Sequence, residues 1–281
     1  MIYVLYNPLA NNGRGKEEAE AAMMKMKGDK VFLDIRKARE IPLFLDSMKE
    51  EDVLVISGGD GTLHHFANQL QGYELKHKIY FYPAGSGNDF CNDIEYNKEN
   101  GPVEINSYLE HLPYAQFKGI RKYFLNNYSM GIDGYVCEKA DEHRKRKKQK
   151  INYTSIALKG LAYDFKPSRA KITIDNKCYE FEDVWMAPTM KGRFVGGGMM
   201  VAPMQERSAK DHSLTLVVVH AKHRSRLLSI FPKIFEGKHV GYTNYVSFFN
   251  VKHAKVEFDR PMPVQIDGEV YLNVKEYEVF A

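Results

Sequence analysis

Several things are scarce in this sequence, and each scarcity excludes a class of protein. Cysteine is rare: Cys91, Cys137 and Cys178 are three in 281 residues, far apart and without a CxxC pair. An odd, unpatterned set reads as reduced thiols in a reducing compartment, not as a disulfide framework. No apolar run approaches the ~18 residues of a membrane-spanning helix. The start, Met1 to Pro8, lacks the charged beginning and apolar core of a secretion signal. A cytoplasmic protein is therefore expected. An excess of one charge sign is also missing: 40 Lys and Arg stand against 36 Asp and Glu, a net +4, so the balance alone does not imply nucleic acid. HExxH pairs and Cys/His zinc spacings are absent.

What remains is an ordinary globular composition, 44% hydrophobic and 27% charged, long enough for two domains. The first third alternates two periodicities. Ile2 to Tyr6, Val31 to Leu33, Val53 to Ile56 and Ile79 to Tyr82 are short apolar runs, as buried parallel strands require. Between them, Ala19-Ala22-Met23-Met26, Ile41-Phe44-Leu45-Met48 and Leu63-Phe66-Ala67-Leu70 fall at helical spacing. The pattern predicts a doubly wound α/β domain over about 1–117. Beyond it, Ala170 to Ile174 and Cys178 to Phe181 flank Asp175-Asn176-Lys177 as a hairpin. Further short strands predict a β-sandwich-like domain over about 118–264. Helices over about 134–164 and 224–236 interrupt it.

The chemistry gathers in strand-end loops. Ser57-Gly58-Gly59-Asp60-Gly61-Thr62 separates a strand from a helix. Its glycines allow close backbone approach, and the helix start offers unpaired N–H groups to phosphate. Asp60 is the odd member, because a carboxylate repels phosphate unless a metal bridges them or the group is protonated. Gly85-Ser86-Gly87-Asn88-Asp89-Phe90 follows the fourth strand, and Asn7-Pro8 with Gly13-Arg14-Gly15-Lys16 follows the first. In a doubly wound sheet these loops converge on one rim, where ligands bind. Walker A fails, since Ala10 stands where glycine is needed and Glu17 follows Lys16. The dinucleotide GxGxxG fails at Glu18 and Phe90.

Gly58 to Thr62 resembles the signature shared by diacylglycerol, sphingosine and NAD kinases. Asn7-Pro8 with Gly13 to Lys16, Gly85 to Phe90, Leu125 to Asp133, Gly196 to Pro203 and Val264 to Glu269 resemble, in order, further motifs of the lipid branch. The resemblance implies two domains around a nucleotide cleft, with residues 265–281 returning to the first. It implies ATP and Mg²⁺, with phosphates held by Gly58, Gly59, Gly61 and Thr62, helped by Asn7, Arg14 or Lys16. Gly85, Ser86, Gly87, Asn88 and Asp89 complete the nucleotide site. Asp267 is the first choice of general base for the attacking hydroxyl. Asp60 stands close behind it or acts through Mg²⁺, and Glu269 holds Mg²⁺ or the adenosine side. A second, structural Mg²⁺ would sit at Asp211. There His212 replaces the family's glycine, which puts the backbone turn in doubt.

Arg144, Lys145, Arg146, Lys147, Lys148 and Lys150 crowd between 143 and 150. The plain reading is a solvated helix face; the functional one is a patch for anionic lipid headgroups, which brings the protein to a membrane surface peripherally. Aromatics are not interleaved with these charges, which argues against nucleic acid. The expected function is ATP-dependent phosphorylation of a lipid hydroxyl. A NAD kinase-like enzyme and a non-catalytic lipid or nucleotide sensor stay open, as does a homo-oligomer.

Overall fold

The four apolar runs, with a two-residue edge strand, form the sheet of the first unit, Met1–Leu112. They are β1 (Ile2–Tyr6), β2 (Lys30–Asp34), β3 (Val53–Gly58), β4 (Lys78–Pro83) and β5 (Val103–Glu104). In this computed structural model, residues 1–38, 40–85, 87–146 and 152–281 are described, with Arg146 as backbone only. The strand order is β2-β1-β3-β4-β5. The first four run parallel and β5 pairs antiparallel at the edge. Val4, Leu5, Leu54, Val55, Ile56 and Phe81 are fully buried, as expected of a sheet covered on both faces by crossover helices. The covering helices include Gly15–Met23, Ile41–Asp46 and Asp60–Gln69. Strand order reverses between β1 and β3, and such sheets bind ligands beyond the carboxyl ends at that reversal.

The second unit, Pro113–Ala281, is built mostly of antiparallel strands. These are β6 (Tyr114–Phe117), β7 (Ile120–Tyr123), β8 (Asn127–Met130), β9 (Ser168–Ile174), β10 (Lys177–Met186), β11 (Thr189–Met190), β12 (Phe194–Val195), β13 (Met199–Met200), β14 (Leu214–His220), β15 (Val246–Val251), β16 (His253–Ile266) and β17 (Glu269–Phe280). The expected β9–β10 hairpin forms, turning on Asp175 and Asn176 at φ 47° and 64°. Those positive values match the right-handed twist of the flanking strands. β16 changes partner along its length: Ala254 to Phe258 pair with β9, and Val264 to Ile266 pair with β8. Since β8, β11, β14, β10 and β9 are successive neighbours, the sheet closes on itself. Inside lie Tyr128, Ile172, Trp185, Leu216, Val256 and Phe258. The helical stretch divides into Ile132–Arg146, Tyr153–Lys159 and a π-turn at Gly160–Asp164. Among the described residues, no helix is long and apolar enough to cross a membrane.

One expectation is overturned. Residues 265–281 do not return to the first unit: β17 lies between β6 and β16 in the second unit's sheet. The cause is local. Asp267 and Gly268, at φ 46° and 91°, form a two-residue turn that sends the chain straight back along β16. The boundary moves as well, because β6 pairs with β17 and so leaves the first unit ending at Leu112.

Candidate active site

In the first unit the site begins where β1, β3 and β4 end. The Asn7 amide donates to the Thr62 hydroxyl at 2.8 Å, joining the β1 loop to the helix Asp60–Gln69. Gly15 lets the next turn close on this point, since a Cβ there would lie 1.9 Å from the Asn7 carbonyl oxygen. The helix Asp60–Gln69 starts with no side-chain cap among the described residues, which leaves its positive end for a ligand. Asp60 turns its carboxylate elsewhere. It accepts from the backbone N–H of Asp89 and of Phe90, both at 3.0 Å, and so caps the helix Asp89–Asp93. The odd carboxylate of the glycine turn is therefore a clamp between two loops, and its charge is engaged by N–H donors.

The two loops also touch through glycine. A Cβ on Gly85 would lie 2.6 Å from the Gly59 Cα, whereas one on Gly61 would meet none of the described residues within 4 Å. Asn88 is left-handed at φ 53°, donates to the Gly85 carbonyl at 3.0 Å, and keeps a buried Oδ1 without a partner among the described residues. An uncapped helix start, open space over Gly61 and an orphaned amide oxygen all suit a nucleotide's phosphates and Mg²⁺. Asp89 is buried. Lys16 is exposed and pairs with Glu20 at 3.6 Å, and Arg14 is exposed. Ser86 lies outside the described residues.

In the second unit Asp267 organises a loop. Its carboxylate accepts from the backbone N–H of Leu125 at 2.6 Å, Asn126 at 2.8 Å and Asn127 at 2.9 Å. Three of a carboxylate's roughly four acceptor positions are thus engaged by backbone. Gln265 accepts from the Gly268 N–H at 2.9 Å and reaches Asp133 at 3.5 Å, linking the Asp267-Gly268 turn to the start of the helix Ile132–Arg146. Burial pushes the Asp133 carboxyl up from its ordinary value, against hydrogen bonds that lower it. Glu269 is exposed and hydrogen-bonded to the Tyr271 hydroxyl, while burial drives that phenol upward. The Gly196-Gly197-Gly198 loop, at φ 67°, 82° and 111°, joins β12 to β13.

The Asp211 turn does form. His212 adopts φ 57°, the left-handed conformation expected of glycine, and Asp211 accepts from the Ser213 N–H and hydroxyl at 3.2 and 3.0 Å. The Ser213 N–H, followed by its hydroxyl, holds the Asp211 carboxyl below its ordinary value. The described residues bring no group of three His, Cys, Asp or Glu side chains together for a metal. Of the basic run, Arg144 bonds Asp141 and the Tyr153 hydroxyl. Lys147, Lys148 and Lys150 lie outside the described residues, as does the Arg146 side chain.

Two residues escaped the sequence reading. Arg207 donates to the Leu125 carbonyl at 2.5 Å and the Asn126 side-chain oxygen at 2.7 Å, and Lys191 is buried beside the same loop. The available signal was a lysine ending an apolar run, Met186 to Lys191, which reads as a strand leaving the core.

Both units match known protein families. Residues 1–114 match the family described as diacylglycerol kinase catalytic domain. Residues 126–276 match the YegS C-terminal NAD kinase beta sandwich-like domain. The chain is 28% identical over 235 residues to "Putative lipid kinase YtlR" of Bacillus subtilis, covering 77% of this chain and 74% of that one. It is 25% identical over 291 residues to a diacylglycerol kinase of Mycobacterium tuberculosis, covering 95% and 92%. Among solved structures, "A putative diacylglycerol kinase from Bacillus anthracis str. Sterne" shares the fold, with a TM-score of 0.69, 19% identity and coverage of 99% and 93%. The chain belongs to the family of the YegS C-terminal NAD kinase beta sandwich-like domain, which spans more than half of it, and carries a diacylglycerol kinase catalytic domain over residues 1–114, which makes it a kinase-type phosphotransferase.

Proposed function

We propose that this protein transfers the γ-phosphoryl group of ATP to the hydroxyl of a lipid, reached at a membrane surface. The observation that carries the reading is the Asp60 clamp, which holds two glycine loops together beside an uncapped helix start at the strand-order reversal. Phosphoryl transfer asks for positioning and charge neutralisation more than covalent chemistry. The Gly58 to Thr62 turn would bind the phosphates through backbone N–H groups and the Thr62 hydroxyl that Asn7 orients. Mg²⁺ arriving with ATP offsets the triphosphate charge. Asp267, held in place by three N–H donors, would take the proton of the attacking hydroxyl.

The test uses purified protein, labelled ATP and Mg²⁺. Diacylglycerol, a sphingoid base, phosphatidylglycerol and ceramide are offered in mixed micelles, and NAD in solution. Label is expected in one of the lipids; label in NAD alone would replace this reading with the soluble-nucleotide one. Asp267→Asn should bind ATP as wild type does and lose turnover by about 10²- to 10⁴-fold. Near wild-type turnover would remove Asp267 as the base.

A further inference from the structure

One buried amide stands between the start of a helix and the Asp267-Gly268 turn. Gln265 is 2% exposed and lies opposite Ser129 where β16 pairs with β8. Its Oε1 accepts from the Gly268 N–H at 2.9 Å, and its Nε2 lies 3.5 Å from Asp133 Oδ2. The other Asp133 oxygen accepts from the Gly134 N–H at 2.9 Å. The Asp133 end of this chain is firmly mounted. A Cβ on Gly134 would lie 2.2 Å from the Pro263 carbonyl oxygen, so the start of the helix Ile132–Arg146 rests directly on β16. A Cβ on Gly131 would lie 2.3 Å from the Trp185 carbonyl oxygen, which confines the chain entering that helix. At the other end Asp267 is a non-glycine residue at φ 46°, a conformation that persists where the surroundings impose it. An amide has a donor end and an acceptor end, and an ionised carboxylate only accepts. Asp133 therefore takes the Nε2 end and leaves Oε1 for the Gly268 N–H. Burial works against its ionisation, and the hydrogen bonds that it accepts work for it.

We propose that Asp133 is a positioning residue for the Asp267-Gly268 turn. By fixing which end of the Gln265 amide faces Gly268, it holds the Asp267 carboxylate on the N–H groups of Leu125, Asn126 and Asn127. Asp133 acts through Gln265 and not on the reacting atoms. Its effect on rate is one of alignment, since a misplacement of about 1 Å can cost about 10²-fold. The turn's use as the seat of a general base rests on the lipid kinase reading; the strut from Asp133 to Gly268 does not. The pairing makes a specific chemical demand. In Asp133→Asn, Oδ1 can keep the Gly134 N–H, but Nδ2 then faces Gln265 Nε2, donor against donor. Turning the Gln265 amide over only moves the clash to the Gly268 N–H. In Gln265→Glu two carboxylates face each other. Combining the two changes restores every pair: the Glu oxygens accept from the Gly268 N–H and from the new Asn amide.

The experiment takes the whole chain as wild type, Asp133→Asn, Gln265→Glu and the double variant. Amide exchange read by NMR at Leu125, Asn126, Asn127 and Gly268 should quicken in each single variant and slow again in the double one. Turnover with the lipid that wild type phosphorylates should fall about 10²-fold in each single variant, with the KM for ATP unchanged. The double variant should regain at least about tenfold of that loss. Single variants that keep wild-type exchange at these amides, or a double variant no better protected than the singles, overturn the strut. Restored exchange without restored turnover overturns its part in positioning. If a single variant fails to fold, a folded double variant supports the pairing and an unfolded one overturns it. Exchange needs no phosphoryl transfer. A wild type that phosphorylates no lipid therefore sinks the kinase reading, while exchange alone still decides whether Asp133 holds the turn.

Discussion

Two glycines in neighbouring loops have opposite reasons to be glycine. Gly85 is held by the protein itself, since a Cβ there would press on the Gly59 Cα at 2.6 Å. Gly61 has no described atom within 4 Å of its Cβ position, so no packing among the described residues requires it. Gly61→Ala should therefore melt no lower than wild type. Alanine is the better helix former by up to about 1 kcal/mol, and Gly61 stands in the first turn of Asp60–Gln69. Its affinity for a non-hydrolysable ATP analogue should fall at least about tenfold. Gly85→Ala should lose both melting temperature and nucleotide affinity, because the loops must separate. Equal nucleotide affinity in Gly61→Ala and wild type would show that phosphates do not lie over this turn. The glycine spacing was legible in the sequence because such turns have a short local grammar. The role of Asp60 was not, because its two donors lie 29 and 30 residues away.

At the scale of elements, His239 ties the turn Lys238–Gly241 to the Gly196 to Pro203 segment. Its Nε2–H donates to the Val201 carbonyl at 2.9 Å, and its buried Nδ1 has no partner among the described residues. Burial, only partly opposed by that hydrogen bond, lowers its pKa below the ordinary 6.5. The folded state therefore stays neutral at a pH where the unfolded chain takes up a proton. Stability is complete above about 6.5 and falls as pH drops from there through the lowered folded value. Urea melts at about pH 7.5 and about pH 5 should show this loss, and His239→Gln should reduce it. A tenfold difference in proton affinity corresponds to about 1.4 kcal/mol. His220, lowered by burial as well, keeps the dependence from vanishing. An unchanged pH slope in His239→Gln would mean that other groups govern it. The periodic helices and apolar strands of the first unit were readable in order. The turn at Asp211-His212 was misjudged because glycine is the usual solution to a positive φ, and here histidine adopts it at 57°. Lys191 stayed hidden because nothing local separates a buried lysine after a strand from a solvated one.

At the scale of the whole molecule the chain end matters most. The late Asp267-Gly268-Glu269 segment suggested a tail that completes the nucleotide domain, since resemblance ties that segment to the site. Pairing decides otherwise: β17 bonds to β16 on one side and β6 on the other. Its Val274, Tyr277 and Val279 are 0%, 1% and 0% exposed, and the Tyr277 hydroxyl donates to the Ala187 carbonyl at 2.6 Å. Burying such side chains contributes about 1.5–3 kcal/mol each, a total comparable with the net stability of about 5–15 kcal/mol of a whole domain. Removing β17 would also strip β6 and β7 of their attachment to the sheet and expose a full edge of β16. A chain truncated after Gly268 keeps Asp267 and every motif of the first unit, yet it should be insoluble or lose the cooperative unfolding of the second unit. Limited proteolysis should then leave a protected fragment of the first unit only. If the truncated chain instead keeps a protease-resistant second unit and loses order in residues 1–112, the tail serves the first unit after all.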